Sequence, residues 1–150
     1  MIQATIQWSL DGDDFLGRRY SRSHRWEFDG GVCIQASSSP DIVPVPMSNP
    51  AAVDPEEAFL ASVASCHMLW FLSVASGSGY ALRGYSDHAV AEMGSSASGQ
   101  QCIVRIELRP QVIWSGNSEP SHEEIGHLHA EAHRKCFIAN SIRSEIVVHF

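Results

Sequence analysis

The sequence predicts an α+β fold, and three observations carry that reading. Near the N-terminus, IQATIQW and RRYSRSHRWEF alternate apolar or aromatic residues with polar ones, and GGVCIQAS restarts after a Gly-Gly turn, as the strands of an antiparallel meander do. A long helix follows, in which Ala58 to Ala75 include no Asp, Glu, Lys or Arg. Beyond it come two long strands, a second helix and a last strand. At 150 residues the chain suits one domain, residues 1–150, able to bury roughly two thirds of its unfolded surface without disulfide staples.

The elements can be justified in order. Residues 37–53, SSSPDIVPVPMSNPAAV, hold four prolines among serines, which excludes regular helix and predicts an ordered connecting loop. Asp54 then offers an N-cap, Pro55 suits the first helical position, and Glu57 stands where a capping-box acid belongs. Apolar residues occupy every face from Ala58 onward, so this helix is expected to be surrounded by protein until Gly77 and Gly79 end it.

Residues 80–94 and 101–114, separated by SSASGQ, read as two long strands joined by a turn. In the second, Cys102, Val104, Ile106 and Leu108 share one face and Arg105, Glu107 and Arg109 the other, the pattern of a sheet wet on one side. The second helix is expected from about Ser121 to Phe137. The closing SEIVVHF reads as a final strand.

A formal net charge of −7 argues against affinity for nucleic acid or an anionic membrane, and small neutral or apolar ligands fit better. The Ala58–Ala75 run sits at the lower length limit for a membrane span, but serines and His67 interrupt it and neither flank carries Lys or Arg, so a buried helix is expected. MIQATIQWSLDGDD has neither a basic start ahead of an apolar run nor a small-residue cleavage pattern, so the expected location is cytoplasmic. There Cys33, Cys66, Cys102 and Cys136 would rest as free thiols. Mid-helix placement gives Cys66 no help from a helix N-terminus, so a thiolate there needs a cation from elsewhere, and Arg18, Arg19, Arg22 and Arg25 are the candidates.

NPAAVDPEEAFLASVASC followed by HRKCFIANSI resembles the OsmC/Ohr family of thiol-dependent peroxidases, and the order of strands, cysteine helix, two strands, second helix and last strand matches as well. The resemblance implies antiparallel sheets wrapped around two long helices in an intertwined homodimer. It implies that Cys66 is the peroxidatic cysteine, that Cys136 resolves its sulfenic acid, and that Glu56 helps hold an active-site arginine, for which Arg22 is preferred and Arg19 second. The partners implied are a small hydroperoxide and an external dithiol, with no cofactor. His67 and Phe137 stand where the family often has an aromatic residue and a proline. On a continuous helix Glu56 and Cys66 are about 15 Å apart along the axis, so either the helix entry folds back or a second subunit completes the site.

Two functional classes follow: a peroxidase using Cys66 and Cys136, or a non-catalytic dimer of the same fold that binds a small apolar ligand. The chain's eight histidines raise a third possibility, zinc on His129 and His133 with His122, Glu123 and His127 nearby, but no H-E-x-x-H or cysteine pair accompanies them. They read as solvated helix-face residues. Met68, Leu69, Trp70 and Phe71 read as core or cavity lining, and Cys33 and Cys102 as buried bystanders.

Overall fold

The computed structural model describes residues 1–12, 14–116 and 119–150. The chain forms two compact units, Met1–Ala58 and Phe59–Phe150.

The first unit is the expected meander. Strands β1 (Ala4–Gln7), β2 (His24–Phe28) and β3 (Cys33–Ala36) form an antiparallel sheet in the order β1-β2-β3, with Ile6 opposite Trp26 and Trp26 opposite Ile34. Only the second half of RRYSRSHRWEF is strand, because Arg19 closes a tight turn on Asp14 and the backbone N–H of Arg22 donates to Met47 O at 2.8 Å instead of to a ladder. The proline-rich loop is tied down: the Ser37 N–H donates to Val53 O at 3.0 Å, the Val53 N–H donates to Gln35 O at 3.1 Å, and the Ser37 hydroxyl accepts the Asn49 N–H at 2.9 Å.

Helix α1 (Pro55–Gly77) runs unbroken. Its start is the expected capping box, with the Glu57 N–H donated to Asp54 Oδ1 at 2.8 Å and the Asp54 N–H returned to Glu57 Oε2 at 3.2 Å. Its end is a Schellman turn in which Gly79, at φ +83°, lets Tyr80 N–H reach Ala75 O at 3.0 Å. The expectation that every face would be covered is not met. One stripe, Val63, His67, Phe71 and Ala75, is buried, while Ala61, Ser65, Leu69 and Ser73 face outward.

In the second unit the two long strands pair as read, but each is broken once. Strand β4 (Ala81–Asp87) pairs with β7 (Pro110–Ser115), and β5 (Val90–Ser95) with β6 (Gln101–Leu108). Where the hairpin breaks, the Arg109 N–H is taken by the Asp87 carboxylate at 2.7 Å. The face assignment on β6 also needs correction: a bulge opposite Glu92 and Met93 resets the alternation, so Ile103, not Cys102 or Val104, joins Ile106 and Leu108 toward Val63. Strand β8 (Glu145–Val148) lies parallel to β6, with Arg105 opposite and ion-paired to Glu145 at 2.6 Å, so the sheets are not wholly antiparallel.

Helix α2 (His122–Lys135) begins on Ser121, whose hydroxyl accepts the Glu124 N–H while the Glu124 carboxylate accepts the Ser121 N–H. It ends at Lys135, two residues short of the expected end, with Cys136 as its C-cap, and a 3-10 turn (Ala139–Ser141) follows. Phe71 and Ala75 of α1 pack on Leu128 and Ala132 of α2 with Tyr85 and Trp114 around them; Val63 packs on Ile106 and Leu108. Helix α1 is long and apolar enough to cross a membrane by length and composition, but these contacts make it a core helix.

Candidate active site

Cys66, half-buried on α1, lines a cavity of about 520 Å³ with Ser62, Leu69, Trp70, Phe137 and Ile138. The α1 positions divided as a helical period requires: Leu69 and Trp70 flank the cavity and Phe71 enters the core. Phe137, 70% exposed, meets the Trp70 ring edge-to-face at 5.5 Å. Lys135 places its ammonium 5.7 Å from the same ring and is paired with Glu131 at 3.2 Å.

Cys136 caps α2, is 1% exposed, and its thiol lies beside Cys66, near enough for the two sulfurs to interact. Burial, the interaction with Cys66 and the charge a Cys66 thiolate would carry all push the Cys136 thiol up, to about 11. The Ala139 N–H, donated to Cys136 Sγ at 3.4 Å, pulls weakly the other way. The two thiols therefore differ in kind: one opens on a cavity, and the other waits behind it as a protonated, protected partner.

Arg22 and Glu56 both line a second cavity of about 520 Å³, within the first unit, together with Trp8, Phe15, Tyr20 and His24. The Arg22 guanidinium lies 3.6 Å over the Tyr20 ring and donates to the carbonyls of Tyr20 and Arg18. Its backbone carbonyl accepts from His24 Nδ1 at 2.8 Å; that tautomer follows because His24 Nε2 accepts the Trp26 indole N–H at 2.8 Å. Arg19, by contrast, is spent on an exposed pair with Asp14 at 2.6 Å. Among the described residues Arg22 and Glu56 share a cavity without an ion pair between them. The supporting roles of Tyr20, His24 and Trp26 were not read from the sequence, although the alternation of polar and aromatic residues through RRYSRSHRW was their signal.

Several bystander assignments need revision. His129 is not solvated: it is 2% exposed, and its Nδ1 lies 3.0 Å from Nε2 of His67, itself 1% exposed. Among the described residues no three His, Cys, Asp or Glu side chains gather as a metal site would need. Cys33 is exposed, since it opens β3 straight after the Gly-Gly turn, and Cys102 is half-buried.

The OsmC-like protein family profile matches residues 48–150, which contain both thiols. The chain belongs to the OsmC-like family. An OsmC-like protein of unknown function from Vibrio cholerae is similar at 45% identity and TM-score 0.97, over 99% of this chain and 97% of that one. The OsmC-like fold extends to an organic hydroperoxide resistance protein from Elizabethkingia anophelis, at 19% identity and TM-score 0.72 over 99% and 91% of the two chains. It extends also to the organic hydroperoxide resistance protein OhrB of Bacillus subtilis, at 16% identity and TM-score 0.67 over 99% and 94%. At such identities the likeness concerns the fold alone. A search of curated proteins found no match.

Proposed function

We propose that this OsmC-like chain is a thiol-dependent peroxidase acting on organic hydroperoxides, with hydrogen peroxide as a smaller alternative substrate. The observation that carries the proposal is the contact between a cavity-lining Cys66 and a buried, protonated Cys136. Naming of two fold relatives as organic hydroperoxide resistance proteins supports the choice of substrate class.

The Cys66 thiolate attacks the terminal peroxide oxygen; the S–O bond forms, the O–O bond breaks, and the alcohol leaves with a proton. The Cys136 sulfur then attacks the sulfenic sulfur, so that the S–S bond forms and hydroxide leaves as water. An external dithiol takes up the disulfide by two exchanges and resets both thiols. We assign to Arg22 the cation that a mid-helix thiolate needs and to Glu56 the placing of that arginine. With α1 unbroken, the arrangement we favour is the one in which a second copy completes the site, residues 1–150 acting as one OsmC-like domain of a homodimer. Exposed Ile6, Leu16 and Val32 in one unit and Leu69 and Phe137 in the other are consistent with cover by such a copy. The reducing cytosol is the compartment in which this thiol pair could be recycled.

The test is to add one equivalent of cumene hydroperoxide to the reduced protein and map disulfides by mass spectrometry, beside Cys66→Ser and Cys136→Ser. We expect a Cys66–Cys136 bond in the parent and in neither variant, with Cys136→Ser completing one turnover to the sulfenic acid. Unconsumed peroxide with Cys66 still reduced would overturn the proposal in favour of a ligand-binding dimer.

A further inference from the structure

His67 follows Cys66 directly, and the two side chains diverge by about 100° around α1. Cys66 turns to its cavity and to Cys136, whereas His67 turns to the core and to His129. His129 lies on α2, two turns before Cys136. Adjacent residues of one helix are thus each matched to a residue of the other, one pair through thiols and one through imidazoles.

The imidazole pair is polar where a core has no general need of polarity. Its rings are nearly parallel, 5.3 Å between centroids and 8° between planes, and His129 stacks on Phe71 at 4.2 Å and on Phe150 at 5.0 Å. One N–H is shared between Nε2 of His67 and Nδ1 of His129, whichever ring donates it. The outer atoms, His67 Nδ1 and His129 Nε2, are buried without a partner among the described residues. Two leucines would fill such space without orphaned polar atoms, so the pair gives up stability relative to an apolar core. What it supplies is direction. Apolar contacts tolerate rotation and slippage, but an N–H···N bond holds only when one helix is turned and set correctly against the other.

Disulfide closure is sensitive to that setting, since it requires Cα atoms about 4.4–6.8 Å apart and a narrow range of S–S torsion. Resting on the thiol chemistry proposed above, we propose that the His67–His129 bond is a positioning device: it fixes the rotation and register of α1 against α2, and so holds Cys66 against Cys136 for the disulfide-forming step. Neither histidine touches peroxide; both act through the helices that bear the thiols.

The experiment separates the two steps and also bypasses peroxide. His129→Leu and His67→Leu remove the bond; His129→Asn keeps a polar atom at the δ position and His67→Gln one at the ε position. Each protein is oxidised with cumene hydroperoxide in the presence of a dimedone-type sulfenic trap and, separately, with diamide. Diamide accepts the electron pair of the two thiols, becoming the hydrazine as the S–S bond forms, and needs no peroxidase activity. The expected result is Cys66 oxidation by peroxide within about threefold of the parent, with disulfide closure by either oxidant slowed about tenfold or more in the leucine variants and restored in His129→Asn and His67→Gln. If the parent consumes no hydroperoxide but diamide reproduces this pattern, the peroxidase reading fails and the positioning role stands. Closure at the parental rate in His129→Leu, equal slowing in His129→Asn, or no Cys66–Cys136 closure by diamide in the parent would overturn it. A variant that loses both steps together with its melting temperature would also count against it, as the mark of a merely structural pair.

Discussion

The Cys136 thiol, 1% exposed, lies beside Cys66, which lines an apolar cavity, and burial, chiefly, pushes Cys136 up to about 11. Near pH 8 iodoacetamide should therefore label Cys33 and Cys66 before Cys136, which stays protonated and covered. In Cys66→Ala the midpoint for Cys136 alkylation should move down, because two of the upward causes are gone. It should remain above that of an exposed thiol because burial, the largest cause, is untouched. Mass-spectrometric alkylation profiles across pH 6–11 give both numbers, and a Cys136 midpoint identical in parent and Cys66→Ala would mean that the thiols do not interact.

The buried histidine pair makes stability depend on pH. Burial, chiefly, holds His67 down at about 4 and His129 at about 3, with the charges of His133 and His67 respectively adding to the effect. Their folded values lie below the unfolded one, so the unfolded chain takes up protons that the folded chain refuses. The stability linked to them is complete above about pH 6.5, falls as pH drops through the window from 6.5 toward 4 and 3, and is on the order of 3 kcal/mol for each ring. Between pH 6.5 and about 5 carboxylates of the unfolded chain remain ionised, so urea midpoints there isolate the histidines. His67→Leu/His129→Leu should show a flatter profile in that window; an unchanged slope would place the acid sensitivity elsewhere.

How much of this was legible in the sequence follows the range of each interaction. The Asp54–Glu57 capping box, the glycine stop at Gly79 and the start of α2 near Ser121 are made by residues within a few positions of one another, and their sequence signals were correct. The hairpin break at Asp87 and Arg109, the bulge at Val104 and the parallel partner for β6 depend on which strand lies alongside, which alternation within one strand cannot report. His67 and His129 are 62 residues apart, and a histidine on an otherwise polar helix has no local mark of burial. At the candidate site the two cysteines and the preference for Arg22 over Arg19 came from the sequence, whereas the Tyr20 ring under Arg22 and the Asp14 pair that occupies Arg19 are contacts that only the fold displays.

The bulge depends on a glycine. A Cβ on Gly94 would sit 2.8 Å from Cγ2 and 3.0 Å from Cγ1 of Val104, a β-branched side chain with little freedom to turn away. Gly94→Ala should destabilise by about 1–3 kcal/mol through overpacking. Val104→Ala opens the space, so the double variant should lose less than the sum of the singles, and thermal melts of all four proteins measure that coupling. Simple additivity would show that the strand relaxes without the two side chains meeting.

Asp87 stands where β4 and β7 part from β5 and β6, and its two oxygens do different things. Oδ1 accepts the Arg109 N–H at 2.7 Å, while Oδ2 is buried without a partner among the described residues. Burial raises the carboxyl above its ordinary value, outweighing the bond from Arg109 and the nearby charge of His88. A carboxyl raised on folding is less costly to bury when protonated, so its charge works against the fold as pH rises through the folded value and continues to do so at neutral pH. The acceptor and the charge can be separated. Asp87→Asn keeps an oxygen for Arg109 and discards the charge, so at pH 7 it should be as stable as the parent or more so. Asp87→Ala leaves a backbone donor unpaired and should lose about 1–3 kcal/mol. Urea unfolding of the three proteins at pH 7 decides it: equal losses in Asn and Ala would mean that the negative charge itself holds the break, through Arg109 or His88, and that its burial is compensated.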